Sequence, residues 1–149
     1  MKPIEIALLI ACIGAATPAF AQDCVVTSGG IEFGAYDFTS SVPLDTTGSI
    51  LVNCPRGLTF RIRMDAGRNS GLSFNPRFMR SAANARIAYN IYIDPSHVSV
   101  WGSGDQATEV FRGVGAGVPL QIPVFGRIFA GQPAAPGDYR DSLTIILDW

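Results

Sequence analysis

The sequence predicts an all-β protein built from short strands, arranged as a sandwich or a barrel. Apolar and polar residues alternate over several short stretches, which is the period of a half-buried strand. The 16 glycines and 10 prolines are scattered along the 149 residues and divide these stretches with turns. After the N-terminal apolar segment, no stretch keeps a helical period. Short strands separated by turns are typical of sandwiches and barrels.

The N-terminus predicts a secretory signal peptide over residues 1–21. Residues 6–16 form an apolar run, and residues 19–21 (Ala-Phe-Ala) follow the small-x-small pattern of a cleavage site. We therefore expect cleavage after Ala21. An uncleaved membrane anchor is the alternative, but the run is shorter than the ~20 apolar residues that a membrane span needs.

The mature chain is expected to form one β-sandwich domain over residues 22–149. Its 128 residues (149 minus 21) are one domain's worth and long enough for a hydrophobic core. No other segment is apolar enough to cross a bilayer, so no stable membrane anchor is expected. The formal net charge of −1 gives no reason to expect nucleic acid as a partner.

Two cysteines, Cys24 and Cys54, remain after the predicted cleavage, since Cys12 lies in the signal peptide. An even count in an exported protein predicts one disulfide bond, which would form in an oxidising compartment. Closing a loop of 30 residues, it would stabilise the fold by roughly 3–4 kcal/mol. A two-thiolate metal site is the alternative, but it has no second pair of ligands. No metal and no cofactor is expected.

The strands are predicted in chain order from alternation and from the turn residues at their ends. Pro119 and Pro123 cannot donate to a ladder, so residues 118–123 are expected at an edge or a bulge before residues 124–128 pair fully. Residues 43–47, 65–71 and 113–117 are predicted as loops. The strands are predicted over residues 24–26, 31–36, 48–54, 58–64, 78–80, 87–93, 98–101, 108–111, 118–128 and 139–149.

The last predicted strand, residues 139–149, bears on whether the protein associates with another molecule. Its apolar residues recur with period two, which predicts one half-buried strand. No later stretch is available to pair with this strand, and a long apolar strand edge favours association. We therefore expect its neighbour to come from earlier in the chain or from another molecule. The recurring residues are Tyr139, Leu143, Ile145, Leu147 and Trp149.

Catalytic chemistry is not indicated by any motif. His97 follows Asp94-Pro95 in a predicted turn, where a solvent-exposed side chain is expected. No Gly-x-Ser-x-Gly elbow is present, and the carboxylates lie in predicted loops without a recognisable pair. The glycine-rich residues 113–117 lack the Lys-Ser/Thr of a phosphate-binding loop. We therefore do not expect an enzyme.

Trp101 and a loose group of arginines each have two interpretations. Trp101 is expected to be a hydrophobic anchor beneath the loop that follows it, and an exposed binding residue is the alternative. The arginines could form a glycan- or lipopolysaccharide-binding face, but a solvated outer sheet face is favoured. The arginines are Arg61, Arg63, Arg68, Arg77, Arg80 and Arg86.

Several short motifs follow one another in a fixed order along the mature chain. Each is weak by itself, but their order and the placement of both cysteines are specific. Together they resemble the spore coat protein U domain family. The motifs are Cys24, Phe33-Gly34-x-Tyr36, Gly48-Ser49-Ile50-x-Val52-x-Cys54, Arg80, Tyr89-Asn90-Ile91-Tyr92-x-Asp94, Trp101-Gly102, Pro123-Val124-Phe125-Gly126-Arg127-Ile128 and Gly137-Asp138-Tyr139-x-Asp141-x-Leu143.

This resemblance implies both a fold and a set of partners. Members look like subunits of archaic chaperone–usher pili and related bacterial surface or spore-coat material, with a role in cell adhesion. The implied fold is an immunoglobulin-like β-sandwich that lacks its final strand. The implied partners are a periplasmic chaperone, an outer-membrane usher and neighbouring pilus subunits. The protein would be exported through the periplasm to the cell surface or the extracellular space.

A strand-acceptor groove is expected where the strand is missing. Leu143, Ile145 and Leu147 are predicted to form one edge, and the first strand, near Val25, the other. About four or five uncovered apolar side chains, at about 1.5–3 kcal/mol each, would withhold on the order of 10 kcal/mol from the lone subunit. A domain's net stability is only about 5–15 kcal/mol, so the isolated chain is expected to be marginal or aggregation-prone.

The segment before the first cysteine departs from the family pattern. Polymerising members carry a donor strand there, whereas only Gln22 and Asp23 precede Cys24 in the predicted mature chain. Since a strand usually has about 5–6 residues, we expect this subunit to accept a strand without donating one. The alternative function is a self-complete secreted β-sandwich that binds a glycan or another surface ligand.

Overall fold

Two antiparallel sheets pack against each other in the computed structural model, which describes residues 23–149. The predicted signal peptide, residues 1–21, lies outside the described residues and stays a prediction. Between residues 23 and 149 there are nine strands and no helix, so none that could span a membrane. The strands are β1 Val25–Ser28, β2 Leu44–Asn53, β3 Thr59–Met64, β4 Arg77–Ser81, β5 Arg86–Tyr92, β6 Phe111–Val114, β7 Leu120–Ile128, β8 Tyr139–Arg140 and β9 Ile145–Asp148.

The two sheets differ in width. The larger has six strands in the order β1-β2-β7-β5-β4-β8, and the smaller has three in the order β6-β3-β9. Every pairing between neighbouring strands is antiparallel. The predicted all-β class is therefore confirmed, and the two packed sheets form a sandwich rather than a barrel.

Alternation along each strand places one set of side chains in the core between the sheets. In β3, Phe60, Ile62 and Met64 are buried, whereas Thr59 and Arg61 are exposed, as expected for alternation along a half-buried strand. The period of two in a strand sends successive side chains to opposite faces, so one apolar set suffices to fill this part of the core. The other main contributors are Ile50, Val52, Ile87, Tyr89, Ile91, Ile122, Val124 and Ile128.

Trp101 is a buried anchor, which confirms the favoured interpretation. Its side chain is fully enclosed, and its indole N–H donates to the backbone oxygen of Ile62 over 2.9 Å. Its ring lies 5.8 Å from that of Phe111. A buried indole needs a partner for its N–H, and the carbonyl of β3 supplies it.

The disulfide bond between Cys24 and Cys54 is present, with an S–S distance of 2.05 Å. Cys24 precedes β1 and Cys54 follows β2, and the first pair of that ladder is Val25 with Asn53. The bond therefore fastens β1, at the edge of the described sheet, to its neighbour β2. The predicted pairing of the two cysteines is confirmed.

The stretch 139–149 is not the single strand that its alternation predicts. β8 pairs with β4 at the edge of the larger sheet, whereas β9 pairs with β3 in the smaller sheet. Between them the chain crosses from one sheet to the other at Asp141. Side chains keep a period of two through the crossing, so the sequence pattern gives no sign of the change of sheet.

Other boundaries also differ from the prediction. Residues 43–47, predicted as a loop, contain the start of β2, and residues 113–114 of a predicted loop belong to β6. Residues 31–36 and 98–101 are not strands, although Val100 and Trp101 form isolated bridges. β7 pairs with β5 only from Phe125 onward, so at Pro123 it has one neighbouring strand, as expected of an edge position.

Arg77 contradicts the expectation that all the clustered arginines are solvated. Its side chain is completely buried, and its guanidinium group donates to the backbone oxygens of Asp65 and Trp101 over 2.8 and 2.7 Å. A third bond, of 2.6 Å, goes to Oδ1 of Asn90, which is also buried. The planar, five-donor guanidinium can reach these separated acceptors at once, which a single ammonium group cannot.

Replacing Arg77 with lysine should therefore destabilise the fold. We expect Arg77→Lys to lower the free energy of unfolding by about 2–3 kcal/mol, because buried acceptors lose their donors. Urea denaturation of the purified chain measures this change. Arg80→Lys, on the same strand but exposed, is the matched control and should change stability by no more than about 0.5 kcal/mol. Equal effects of the two variants would contradict the structural role of Arg77.

Candidate strand-acceptor groove

A groove of about 1170 Å³ opens into the interior of the sandwich between β9 and the segment that follows β1. Its floor is made of core side chains, mainly from the larger sheet. These side chains are at most 8% exposed, so the groove extends down to the core while its floor stays buried. The floor residues are Ile50, Met64, Met79, Ile87, Tyr89, Ile91, Val124 and Ile128.

The first wall of the groove is residues 29–36, which lie across the inner face of β2 and β7. Ile31 packs over Gly48, where an added Cβ would lie 2.7 Å from the Ile31 side chain. Phe33 packs over Gly126, where an added Cβ would lie 2.8 Å from the Phe33 ring. The two glycines thus allow this close approach, because any side chain at either position would push the wall outward.

The backbone of this first wall has few partners. Among the described residues, residues 29–36 make no backbone–backbone hydrogen bond. The carbonyl of Glu32 accepts a bond of 3.1 Å from the Thr46 hydroxyl, and the Tyr36 hydroxyl donates to the backbone oxygen of Phe129 over 2.8 Å. Side chains therefore hold the wall in place while most of its peptide groups stay available for a further strand.

The second wall is residues 142–145, leading into β9. One backbone edge of this wall is already hydrogen-bonded to the loop after β3. The backbone oxygen of Ser142 accepts a bond of 3.2 Å from the amide of Arg68, and that of Thr144 accepts one of 3.2 Å from the amide of Asp65. β9 is the outer strand of the smaller sheet and pairs with β3 alone. Within residues 23–149, no strand pairs with its other edge, which lies on the side of the groove.

The structure places the predicted groove residues as follows. Leu143 and Ile145 are half-buried and line the groove. Leu147 is half-buried opposite Ile62 and lies outside the lining. Val25 is 57% exposed on β1, also outside the lining, and the facing wall is formed further along the chain by Ile31 and Phe33. Alternation over residues 31–36 is the sequence signal for this wall, but by itself it predicts an ordinary strand, which these residues do not form.

Tyr89 and Asp141 form a polar contact where the floor meets the second wall. The Tyr89 hydroxyl donates to Oδ2 of Asp141 over 2.7 Å, and Oδ1 accepts from the amide of Arg68 and the side chain of Asn69. Burial, and then the bond to Asp141, raise the pKa of Tyr89 far above its usual value. Asp141 therefore joins the loop after β3, the floor and the second wall.

His97 is not the exposed turn residue that the sequence predicts. Its side chain is 8% exposed, and its ring packs edge-on against Tyr92 with centroids 5.1 Å apart. Asp94 closes the turn by accepting bonds from the amides of Val98 and Ser99, which directs the histidine back onto the sheet. Among the described residues, no group of three or more His, Cys, Asp or Glu side chains could hold a metal ion.

Comparison with known proteins assigns this sandwich to a family. The sequence matches the Spore Coat Protein U domain over residues 11–146. The chain belongs to the spore coat protein U domain family. Among its relatives is Protein U of Myxococcus xanthus, which is 31% identical over 125 residues, covering 77% of this chain and 69% of that protein. The family predicted from the motifs is confirmed.

A solved structure shares the fold of this spore coat protein U domain. It is the CsuC–CsuE chaperone–tip adhesion subunit pre-assembly complex from archaic chaperone–usher Csu pili of Acinetobacter baumannii. The TM-score is 0.60 at 20% sequence identity, over 85% of this chain. The aligned region spans only 39% of the length of that chain. The similarity confirms the predicted immunoglobulin-like β-sandwich.

The raised pKa of Tyr89 predicts a loss of stability in alkali. An unfolded tyrosine releases its proton near pH 10, whereas folded Tyr89 keeps it, so the free energy of unfolding should fall as the pH rises above about 10. Tyr89→Phe should flatten this fall and lower stability by about 1.5–3 kcal/mol at pH 7, through the lost bond to a carboxylate. Urea denaturation between pH 7 and pH 11 measures both effects. An unchanged alkaline slope in the variant would contradict this assignment.

Proposed function

We propose that this protein is a structural subunit of a bacterial surface assembly, either an archaic chaperone–usher pilus or spore-coat-like material. It acts there by accepting a β-strand from another polypeptide. The groove is the observation that supports this function most directly. Its two walls carry available backbone groups and half-buried apolar side chains, and they lie on either side of a floor of core residues. An enzymatic role has no support from the groove or from the family.

A strand in the groove would complete the structure in two ways. Its peptide groups would pair with the open edge of β9, which extends the smaller sheet by strand addition. Its alternate side chains would point to the floor and cover half-buried residues of both walls, such as Phe33 and Ile145. Each apolar side chain contributes about 1.5–3 kcal/mol when burial goes from none to complete, and less from a half-buried start.

The proposed partners follow from this function. A periplasmic chaperone would supply the strand first, and a neighbouring subunit would replace it during assembly at an outer-membrane usher. Family membership supports this proposal, and so does the shared fold with a subunit complex described as chaperone–usher. The predicted signal peptide and the disulfide bond fit export through the periplasm to the cell surface.

A fused donor strand tests the proposal. The strand alternates valine and threonine and is joined to Trp149 by a flexible glycine-serine linker. We expect the fusion to raise the free energy of unfolding by roughly 2–5 kcal/mol, because its valines bury the half-buried apolar side chains of the groove walls. Urea denaturation of the fused and unfused chains measures the difference. A fused strand with aspartate in place of each valine should give no increase.

Substitutions in the groove wall test whether the gain in stability from the fused strand arises in the groove. Leu143→Asp places a charge in the groove wall, so we expect the gain from the fused strand to be mostly lost. Leu72→Asp, at a side chain that is 85% exposed and outside the groove lining, should leave the gain intact. A gain that is equal for the valine and aspartate strands would overturn the proposal. High, reversible and concentration-independent stability of the unfused chain would favour the self-complete, ligand-binding sandwich.

A further inference from the structure

Three arginines stand side by side at one edge of the larger sheet. Arg80 of β4 pairs directly with Arg86 of β5 on one side and with Arg140 of β8 on the other. All three are exposed. Directly opposite residues on neighbouring strands share a face, with Cβ atoms about 4.5–5.5 Å apart. The three residues therefore form a row on one face of the sheet, which we call the arginine row.

Within the part of the chain that the structure describes, the arginine row has no acidic partner. Among residues 23–149, no carboxylate lies within salt-bridge distance of any of its members. Other arginines of this protein do have one: Nε of Arg63 and of Arg127 each lie 2.7 Å from an aspartate. Like charges directly opposite each other in a sheet are destabilising, so three in one row cost stability in the isolated protein. An anionic ligand would remove that repulsion.

One end of the row is already held in place. Nη2 of Arg86 donates to the backbone oxygen of Asn69 over 3.0 Å, and its guanidinium carbon lies 3.9 Å from the centre of the Phe78 ring. The same Asn69 donates from its side chain to the backbone oxygen of Arg140 over 3.0 Å. Asn69 thus contacts both terminal arginines, but it holds a guanidinium group only at Arg86. An ordered end of this kind loses less conformational entropy when a ligand binds.

We propose that the arginine row binds an anionic polysaccharide, through carboxylate or sulfate groups carried along the polymer. The planar fork of a guanidinium group matches the paired oxygens of such groups. Neighbouring strands are about 4.8 Å apart, so the row spans about 10 Å and a linear polymer can engage all three members at once. Binding at several linked groups gives far more affinity than one contact. A surface subunit would use this site to attach to an acidic extracellular matrix.

The chemistry of the row favours a polysaccharide over nucleic acid. Proteins that bind single-stranded nucleic acid stack its bases on exposed aromatic rings. The aromatic ring beside the row, Phe78, is covered by the guanidinium group of Arg86. The formal net charge of the chain is −1, so it lacks the overall positive field typical of nucleic-acid-binding proteins.

Binding of fluorescently labelled polysaccharides to the full chain tests this proposal. Polygalacturonate supplies carboxylates, heparin supplies sulfates, and neutral dextran of similar length is the control. We expect anisotropy changes with at least one of the two acidic polymers and none with dextran, and weaker binding as salt is added. Arg80→Gln should weaken binding roughly tenfold, as one lost charge-assisted contact predicts. Arg80→Lys should bind with intermediate affinity, because it keeps the charge but not the fork.

The matched control is Arg112→Gln on β6 of the smaller sheet. Arg112 is exposed and pairs directly with Arg61, so this variant removes the same charge from a different like-charge pair. We expect it to leave the affinity unchanged. Equal weakening by Arg80→Gln and Arg112→Gln would overturn the proposal in favour of diffuse charge attraction. Absence of binding to both acidic polymers would also overturn it.

Two further probes decide the class of ligand. The probes are single-stranded DNA and phosphatidylglycerol vesicles. If either binds more tightly than both polysaccharides, and if that binding also depends on Arg80, the proposed ligand class is wrong.

Arg80 is the position for substitution because it does not border the groove, whereas Arg140 does. Arg80→Gln should keep the stabilisation by a fused valine strand. Failure of polysaccharide binding is then distinguishable from failure of strand acceptance.

Discussion

The larger sheet presents a wider apolar face than the smaller sheet can cover. Six strands against three, at about 4.8 Å a strand, leave a large part of that face without a facing strand. Residues 29–36 cover some of the difference, over Gly48 and Gly126, and the groove is what remains uncovered. The floor side chains are themselves at most 8% exposed, so the mismatch leaves the half-buried walls and the open edge of β9 available to another segment. Full burial of the walls then depends on a polypeptide segment other than the nine strands of residues 23–149.

The walls of the groove are held by polar contacts rather than by sheet pairing. Arg77 fixes the loop after β3 through the backbone oxygen of Asp65, and the Asp65 amide and carboxylate in turn hold Thr144. Asp141 fastens the same loop to Tyr89 in the floor. Buried polar networks of this kind stabilise one arrangement when every member has a partner. The second wall therefore keeps its position and leaves the outer edge of β9 open to another strand.

The two sheets also differ in how they arrange positive charge on their outer faces. On the smaller sheet, Asp148 lies between Arg61 and Arg63 and offsets part of their charge. At the edge of the larger sheet, no residue between 23 and 149 forms such an ion pair with the arginine row. Pairing in register brings these three residues together, although Arg140 is far from the other two in sequence. This is a property of the sheet topology and not of any local motif.

By itself, the sequence determined the features that depend on neighbouring residues. Alternation predicts the all-β class and which side of β3 is buried. The even number of cysteines predicts the bond between Cys24 and Cys54, and the ordered motifs indicate the family. The resemblance to the family implies a groove at Val25, Leu143, Ile145 and Leu147, of which Leu143 and Ile145 line it. Side-chain period and disulfide chemistry are local in this sense, so they can be deduced without knowing which strands become neighbours.

Only the tertiary structure decided which strands pair and which charges are enclosed. Residues 139–149 keep one alternation while passing from the larger sheet to the smaller, because a period of two is the same in either sheet. Arg77 and Arg80 belong to the same strand and face opposite sides, yet nothing in their types distinguishes the buried cation from the exposed one. The facing wall at residues 29–36 depends on two distant glycines. Contacts between residues far apart in sequence set these features, and strand patterns do not encode such contacts.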